Sequence, residues 1–354
     1  MLVVLFHASA RVKKLYGVER HAFLDFFDFG DAGIQFFFVL SGFIIYHIHR
    51  NDIGRVGDYL IKRVIRIYPI YIFVTLLILP AWYFLPSIGF PYHKEVGALL
   101  FSLLLIPQDH APHLGVAWTL THEMLFYLLF AVVLTHRKTG GMVFIGWFAA
   151  ITVVNLVSNM LLAFPLDFLF SINNLLFGFG VFAAIFAGKV SLTSRQAWAI
   201  TVIGALLFLA AGIQANGLRH AGLTGEHLPA VIILAYGFAS FLLVLPANSH
   251  DLEKFMRRRS VMILLGNASY SIYLLHVPAL SFIVRMFVRL ELETILPVPA
   301  LFFLAALLAA ISGILLHKAV ERPMLRWFRS KWLPSKGTLP AGGPVPQEEN
   351  RQPP

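Results

Sequence analysis

Nine separate stretches of this chain are apolar for long enough, or nearly so, to cross a lipid bilayer, and that repetition excludes most folds. A spanning helix takes about 20 mostly apolar residues, and such runs lie near 34–49, 67–86, 116–135, 141–158, 170–187, 197–214, 229–247, 261–286 and 299–317. Inside hydrocarbon every backbone N–H and C=O must be satisfied by the protein itself, which a helix does locally. Composition agrees, since 58% of the 354 residues are hydrophobic and 13% charged, where soluble domains carry about 25% charged residues. One water-soluble core cannot bury that much apolar surface. The expected fold class is therefore an all-α integral membrane protein, a polytopic helical bundle.

A further helix is expected at the start, where "MLVVLFHA" (1–8) reads as the second half of a span whose first half is missing. It lacks the charged beginning and cleavage site of a signal peptide. An apolar piece at 96–107 is too short to count. Basic residues gather between the runs, at 50–66, 136–138, 189–195, 254–259 and 318–336. Cytoplasmic loops carry such an excess, and placing all five on that side demands an even number of helices between neighbours. The rule holds if 96–107 does not cross, which gives about ten transmembrane helices, both termini cytoplasmic, and 87–115 as an outer loop with a re-entrant or interfacial piece. The loop 11–31, of mixed charge, falls outside and fits the rule less well.

The net charge of +10 then reports topology and anionic-lipid contact, not nucleic acid. Residues 1–333 read as one transmembrane domain, and the Pro- and Gly-rich 334–354 as a disordered cytoplasmic tail. No internal repeat is evident, which weakens a transporter built from inverted repeats. With no cysteine in the chain, a disulfide, a thiolate metal site and an acyl-cysteine intermediate are excluded. The histidines show no ligand spacing, so no metal is expected.

Polar groups inside the apolar runs are expensive to place and carry the functional information. "AWTLTHEMLFYLLFAVVL" (117–134) holds His122 and Glu123 near its start. At helical spacing Thr119, Glu123 and Tyr127 share one face, with Trp118 and His122 on the next. Glu123 is either a functional carboxylate or a strut pairing with a neighbouring helix. In "GNASYSIYLLHVP" (266–278), Gly266, Ser269, Tyr273 and His276 fall at steps of three, four and three, lining one side. That side is either an interhelical hydrogen-bonding seam or the wall of a substrate site. Tyr59, Arg63 and Arg66 align in "YLIKRVIRIYPIYI" (59–72), with Pro69 at a helix start or kink. Such arginines are either snorkelling anchors or a fork for phosphate. His7 stands alone in the first segment.

Together, "VVLFHA" (3–8), "GDAGIQFFFVLSGFII" (30–45), "KRVIRIYPIY" (62–71), "VAWTLTHEMLFYLLF" (116–130), "GNASYSIYLLHVP" (266–278) and "ERPM" (321–324) resemble, in order and spacing, the membrane acyltransferase-3 family of sugar O-acyltransferases. "GVAWTLTHE" is most similar to the exopolysaccharide acetyltransferases that act on polymers such as succinoglycan. The resemblance implies transfer of an acyl group, usually acetyl from cytoplasmic acetyl-CoA, to a hydroxyl of an exported or cell-surface glycan by a multi-pass protein of the bacterial inner membrane. Family members generally need an Arg and a His ten residues apart in the first helix. His7 takes the His position, and the Arg is expected upstream of Met1.

Moving acetyl from a thioester to a hydroxyl requires a base for the hydroxyl proton, a task suited to a neutral histidine. His7 is the candidate base, with Glu123 expected as the carboxylate partner of His7 or of His122. Arg63 and Arg66 are expected to grip the phosphates of coenzyme A at the cytoplasmic entrance while the pantetheine arm reaches inward. Alternatively His7 carries the acetyl covalently. His122, Ser269, Tyr273 and His276 are candidate substrate-lining residues. Gly33, Ser41 and Gly42 read as close helix packing first and pocket lining second, and Glu321 as the partner of a nearby Arg where the last helix ends. No resident cofactor is expected; acetyl-CoA or another acyl-CoA is the donor substrate. The partners implied are a glycan or lipid-linked oligosaccharide, membrane lipids and polysaccharide synthesis or export machinery, with no nucleic acid. A transporter or flippase for a glycan or lipid-linked sugar is the rival reading, with a non-catalytic export partner a third.

Overall fold

Each apolar run forms a helix in the computed structural model, which describes residues 1–84, 91–158, 162–223 and 228–333. In chain order the helices of eight residues or more are α1 (Leu2–Leu15), α2 (Gly33–His49), α3 (Val56–Phe84), α4 (Val96–Leu103), α5 (Trp118–Thr135), α6 (Arg137–Thr152), α7 (Ile172–Ala187), α8 (Ser194–His220), α9 (Ala230–Val244), α10 (His250–Arg257), α11 (Ser260–Arg289), α12 (Val298–Leu316) and α13 (Arg322–Trp332). Among the described residues nine helical segments are long and apolar enough to cross a membrane. They coincide with the nine runs expected, so the protein is a multi-pass helical bundle. The tenth, α1, has fourteen residues. α4 has eight, about 12 Å at 1.5 Å per residue, well short of the roughly 30 Å hydrocarbon layer. The expected tail, 334–354, lies outside the described residues.

Two boundaries differ from expectation. α3 begins at Val56, so Arg63 and Arg66 stand inside a helix of 29 residues, with Pro69 in its interior. The last span does not stop at Glu321. It passes through a π-helical turn, His317–Glu321, into α13, with Pro323 in the first turn after it. The wider π turn re-aims the Glu321 side chain inward.

Packing sorts the bundle into three apolar clusters. The largest joins α2, α3, α5, α6 and α7. A second joins α1, α11 and α12, and a third joins α8 and α9 to the short 3₁₀ segment Phe26–Ala32. α2 and α7 cross at backbone contact. A Cβ on Gly42 would overlap the Phe177 carbonyl, and one on Gly180 the Val39 carbonyl. Small residues allow this approach where lipid gives no hydrophobic drive for helix association. At one rim of the bundle Lys13 ties α1 to the following segment through Asp25 (2.6 Å) and Asp28 (2.7 Å). Arg219 at the end of α8 is paired with Asp31. Between the first two clusters lies a cavity walled by α1, α2, α3, α5 and α11.

Candidate active site

The cavity holds about 620 Å³, within the range of small-molecule sites. Its wall is mostly aliphatic and aromatic, and its polar groups come from four helices: Ser41 on α2, Arg63 and Arg66 on α3, Glu123 and Tyr127 on α5, and Ser269, Tyr270, Tyr273 and His276 on α11. The stripe expected at Gly266, Ser269, Tyr273 and His276 does face one place, since all four line it. Gly266 and Ser269 are also exposed, so the cavity is open beside them.

Helix rise orders these groups by depth. α3 and α11 run side by side in the same direction, with the Tyr270 hydroxyl donating to the Ile67 carbonyl at 3.0 Å. α5 runs opposite, the Gly54 N–H meeting the Leu134 carbonyl at 2.8 Å. Counted from that common end, which carries the basic loops, Arg63 lies roughly 10 Å along, Arg66 about 15 Å, Glu123 about 18 Å and His276 about 24 Å, at 1.5 Å per residue. The cavity thus leads from guanidinium groups, past a carboxylate, to imidazole.

The carboxylate is not paired with either imidazole expected for it, although it does share a face with Tyr127. Glu123 is buried and accepts hydrogen bonds from Ser41 Oγ at 3.0 Å and from the Tyr127 hydroxyl, one helical turn on. It is bonded to neither His7 nor His122. His122 is turned away from the cavity, where Nδ1 donates to Asn174 Oδ1 at 2.8 Å. Asn174 Nδ2 donates to the carbonyls of Phe168 and Leu169, which fixes the orientation of its amide. His122 is therefore a strut between α5 and α7, and it is absent from the cavity lining. Ser41, read first as a packing residue, is a ligand of Glu123.

The two arginines are held differently. Arg66 Nη1 donates to Glu321 Oε1 at 2.7 Å, and its guanidinium lies 5.4 Å from the Tyr270 ring centroid. Glu321 is wholly buried and accepts further bonds from Ser271 Oγ (2.7 Å) and His317 Nδ1 (2.8 Å). The expected Glu321–Arg pairing is thus made, with Arg66. Arg63 has no carboxylate within ion-pair reach among the described residues. It packs near the rings of Tyr59 (6.0 Å) and Tyr127 (5.8 Å) and donates through Nη2 to His49 Nε2 at 3.1 Å. His49 Nδ1 then donates to Asp52 Oδ2 at 2.8 Å. That bond holds the Asp52 carboxyl, outside the membrane-spanning segments, below its ordinary range. Arg63 retains a buried Nε with no partner.

At the far end, His276 is fully buried and lines the cavity, while Tyr273 is held through its hydroxyl by Thr119 and the Val116 carbonyl, both at 2.7 Å. His7 is half-buried, outside the lining, with its ring centroid 5.1 Å from that of His276. Gly33 faces α1, where a Cβ would press on Val3. Away from the cavity, Asp25, Asp28 and His220 bring ligating atoms within 4.8 Å of one another, a cluster the sequence did not announce. Lys13 already supplies a cation to both aspartates there.

This chemistry can be set beside known proteins. A family model described as an acyltransferase domain, acyltransferase-3, matches residues 1–317. Over 318 residues, 86% of this chain and 92% of the relative, the chain is 28% identical to the exopolysaccharide production protein ExoZ of Rhizobium meliloti (strain 1021). No solved structure matches it.

Proposed function

The chain belongs to the acyltransferase-3 family, and from that premise we propose that it transfers an acyl group, in the first instance acetyl, from cytoplasmic acyl-CoA to a hydroxyl of an exopolysaccharide in the bacterial inner membrane. The name of its relative supports the acceptor class. One observation carries the reaction: a single cavity joins Arg63, which has no carboxylate within ion-pair reach among the described residues, to His276, whose ring packs against that of His7.

Arg63 and Arg66 lie nearest the basic loops, the side that charge bias assigns to the cytoplasm. Guanidinium binds phosphate oxygens in pairs, and Arg63, with its unpartnered Nε, has donors left for a ligand. From there to His276 is roughly 14 Å along the helices, about half the hydrocarbon thickness and comparable to a pantetheine arm. The thioester therefore reaches the imidazoles without the coenzyme crossing the membrane. Glu123, held by Ser41 and Tyr127 midway, orients the cavity wall and balances the cationic entrance. The His7–His276 end supplies the base. The acceptor hydroxyl attacks the thioester carbonyl, the new C–O bond replaces the C–S bond, and the hydroxyl proton passes to imidazole and on to the departing thiolate.

The test is made in an exopolysaccharide-producing cell from which the gene has been removed. Purified polymer is examined by proton NMR for acyl groups with and without the restored protein. Signals that return with the wild-type protein and return more weakly with a folded Arg63→Ala variant support the reading. Polymer with identical acylation in all strains contradicts it.

A further inference from the structure

The sequence nominates His7 as base, but the imidazole that faces the cavity is His276. Its Nδ1 lies 2.6 Å from the Tyr273 carbonyl oxygen. A carbonyl oxygen can only accept, so Nδ1 carries the proton, and the neutral ring then keeps its lone pair on Nε2. That tautomer is specified within one helix, because the acceptor is a backbone carbonyl of α11 three residues earlier. His276 Nε2 is buried and has no hydrogen-bond partner. A buried polar atom left without a partner is costly, and here it belongs to a fully buried side chain on the wall of a cavity large enough for a substrate. Among the described residues, the imidazole ring in contact with it is that of His7.

We propose that His276 is a catalytic residue: its Nε2 accepts the proton of the attacking glycan hydroxyl, with the His7 ring packed against it. This rests on the acyl-transfer reading above. As the hydroxyl oxygen bonds to the thioester carbon, its proton moves to His276 Nε2 and the C–S bond pair leaves with the sulfur. The imidazolium formed is stabilised on one side by the Tyr273 carbonyl, which goes on accepting from Nδ1–H, and on the other by the neutral ring of His7. His276 then returns the proton to the coenzyme thiolate, leaving its ring neutral. A carboxylate partner is not required, which agrees with Glu123 being engaged by Ser41 and Tyr127 instead.

The experiment uses the full chain in lipid nanodiscs with acetyl-CoA and a deacetylated exopolysaccharide. A general base contributes about 10²–10⁴-fold, so His276→Gln is expected to lower kcat by at least 100-fold while the KM for acetyl-CoA moves less than about threefold. In His276→Ala the vacated space should admit free imidazole, which restores part of kcat in proportion to its unprotonated concentration. A merely structural histidine would show neither the split nor the rescue. A folded His276→Gln protein with kcat within about threefold of wild type overturns the proposal and leaves the acyl-transfer reading standing. If wild type itself transfers nothing, that reading fails first. Should the variants not fold, nitrogen-15 NMR of histidine-labelled wild type decides: His276 protonated at Nδ1 and bare at Nε2 is expected, and the opposite tautomer refutes the assignment.

Discussion

Arg66 and Glu321 offer a substitution series in which the order of the effects can be worked out from burial. Glu321 is wholly buried and takes three donors, from Arg66, Ser271 and His317, while the Arg66 side chain is 36% exposed. Arg66→Met removes the cation and leaves the carboxylate with Ser271 and His317 as its donors. Breaking a buried pair in this way costs about 3–5 kcal/mol, and the solvent already reaching Arg66 points to the lower end, about 3 kcal/mol. Glu321→Gln strands a guanidinium that can turn to water, and is expected to cost only about 1–2 kcal/mol. The double variant leaves no unmatched charge. It should be little worse than Glu321→Gln alone, a coupling of about 2–3 kcal/mol. Thermal unfolding in detergent, followed by intrinsic tryptophan fluorescence, reads all four proteins on one scale. Equal losses in the two single variants, adding in the double within about 0.5 kcal/mol, would refute the pairing.

Four shorter expectations follow from the same geometry. Arg63→Ala should raise the KM for acyl-CoA by about 10-fold or more, the worth of one or two charge-assisted bonds, and change kcat less; steady-state kinetics over a range of donor concentrations separate the two. His122→Ala should lose about 1 kcal/mol of stability with the Asn174 bond and keep its kcat, which a melting curve and an activity assay on the same sample establish. Gly42→Ala forces α2 off the Phe177 backbone and should lower the unfolding midpoint by an amount matching at least 1–3 kcal/mol. His93, buried outside the membrane-spanning segments against Trp82 and His113, has its pKa pushed down to about 4 by burial first and by the charges of His113 and His110 next. An unfolded histidine takes its proton near pH 6.5, so between about 6.5 and 4 the unfolded chain binds the extra proton and stability falls as pH is lowered. His93→Phe should flatten that slope in melting curves recorded from pH 7.5 to 4.

The sequence shows this architecture because the membrane forces it to. Each span must be apolar over a fixed length, so the nine runs and the short α4 are visible without tertiary information. The cavity wall on α11 is legible for a similar reason, since Gly266, Ser269, Tyr273 and His276 keep helical spacing within one segment. Glu321 and Arg66 are legible as unmatched opposite charges. What stays hidden is pairing across sequence distance. Ser41 reaches Glu123 over 82 positions and His122 reaches Asn174 over 52, and no periodicity specifies such contacts. His122 and Glu123 are chain neighbours, yet helix geometry turns them about 100° apart, one into the cavity and the other into a seam. The π turn at His317–Glu321 has no compositional signature; only the i, i+4 spacing of His317 and Glu321 hints at their bond.

The central claim, that acyl-CoA enters from the arginine end and loses its acyl group to a glycan at the histidine end, is tested most directly by following coenzyme thiol release from acetyl-CoA by the purified protein in nanodiscs. Release is expected to depend on added exopolysaccharide, to match acetyl appearing on the polymer one for one, to be lost in His276→Gln and, at donor concentrations below the wild-type KM, to fall about 10-fold in Arg63→Ala. Release that ignores the glycan, or is undiminished by either substitution in folded protein, would contradict it.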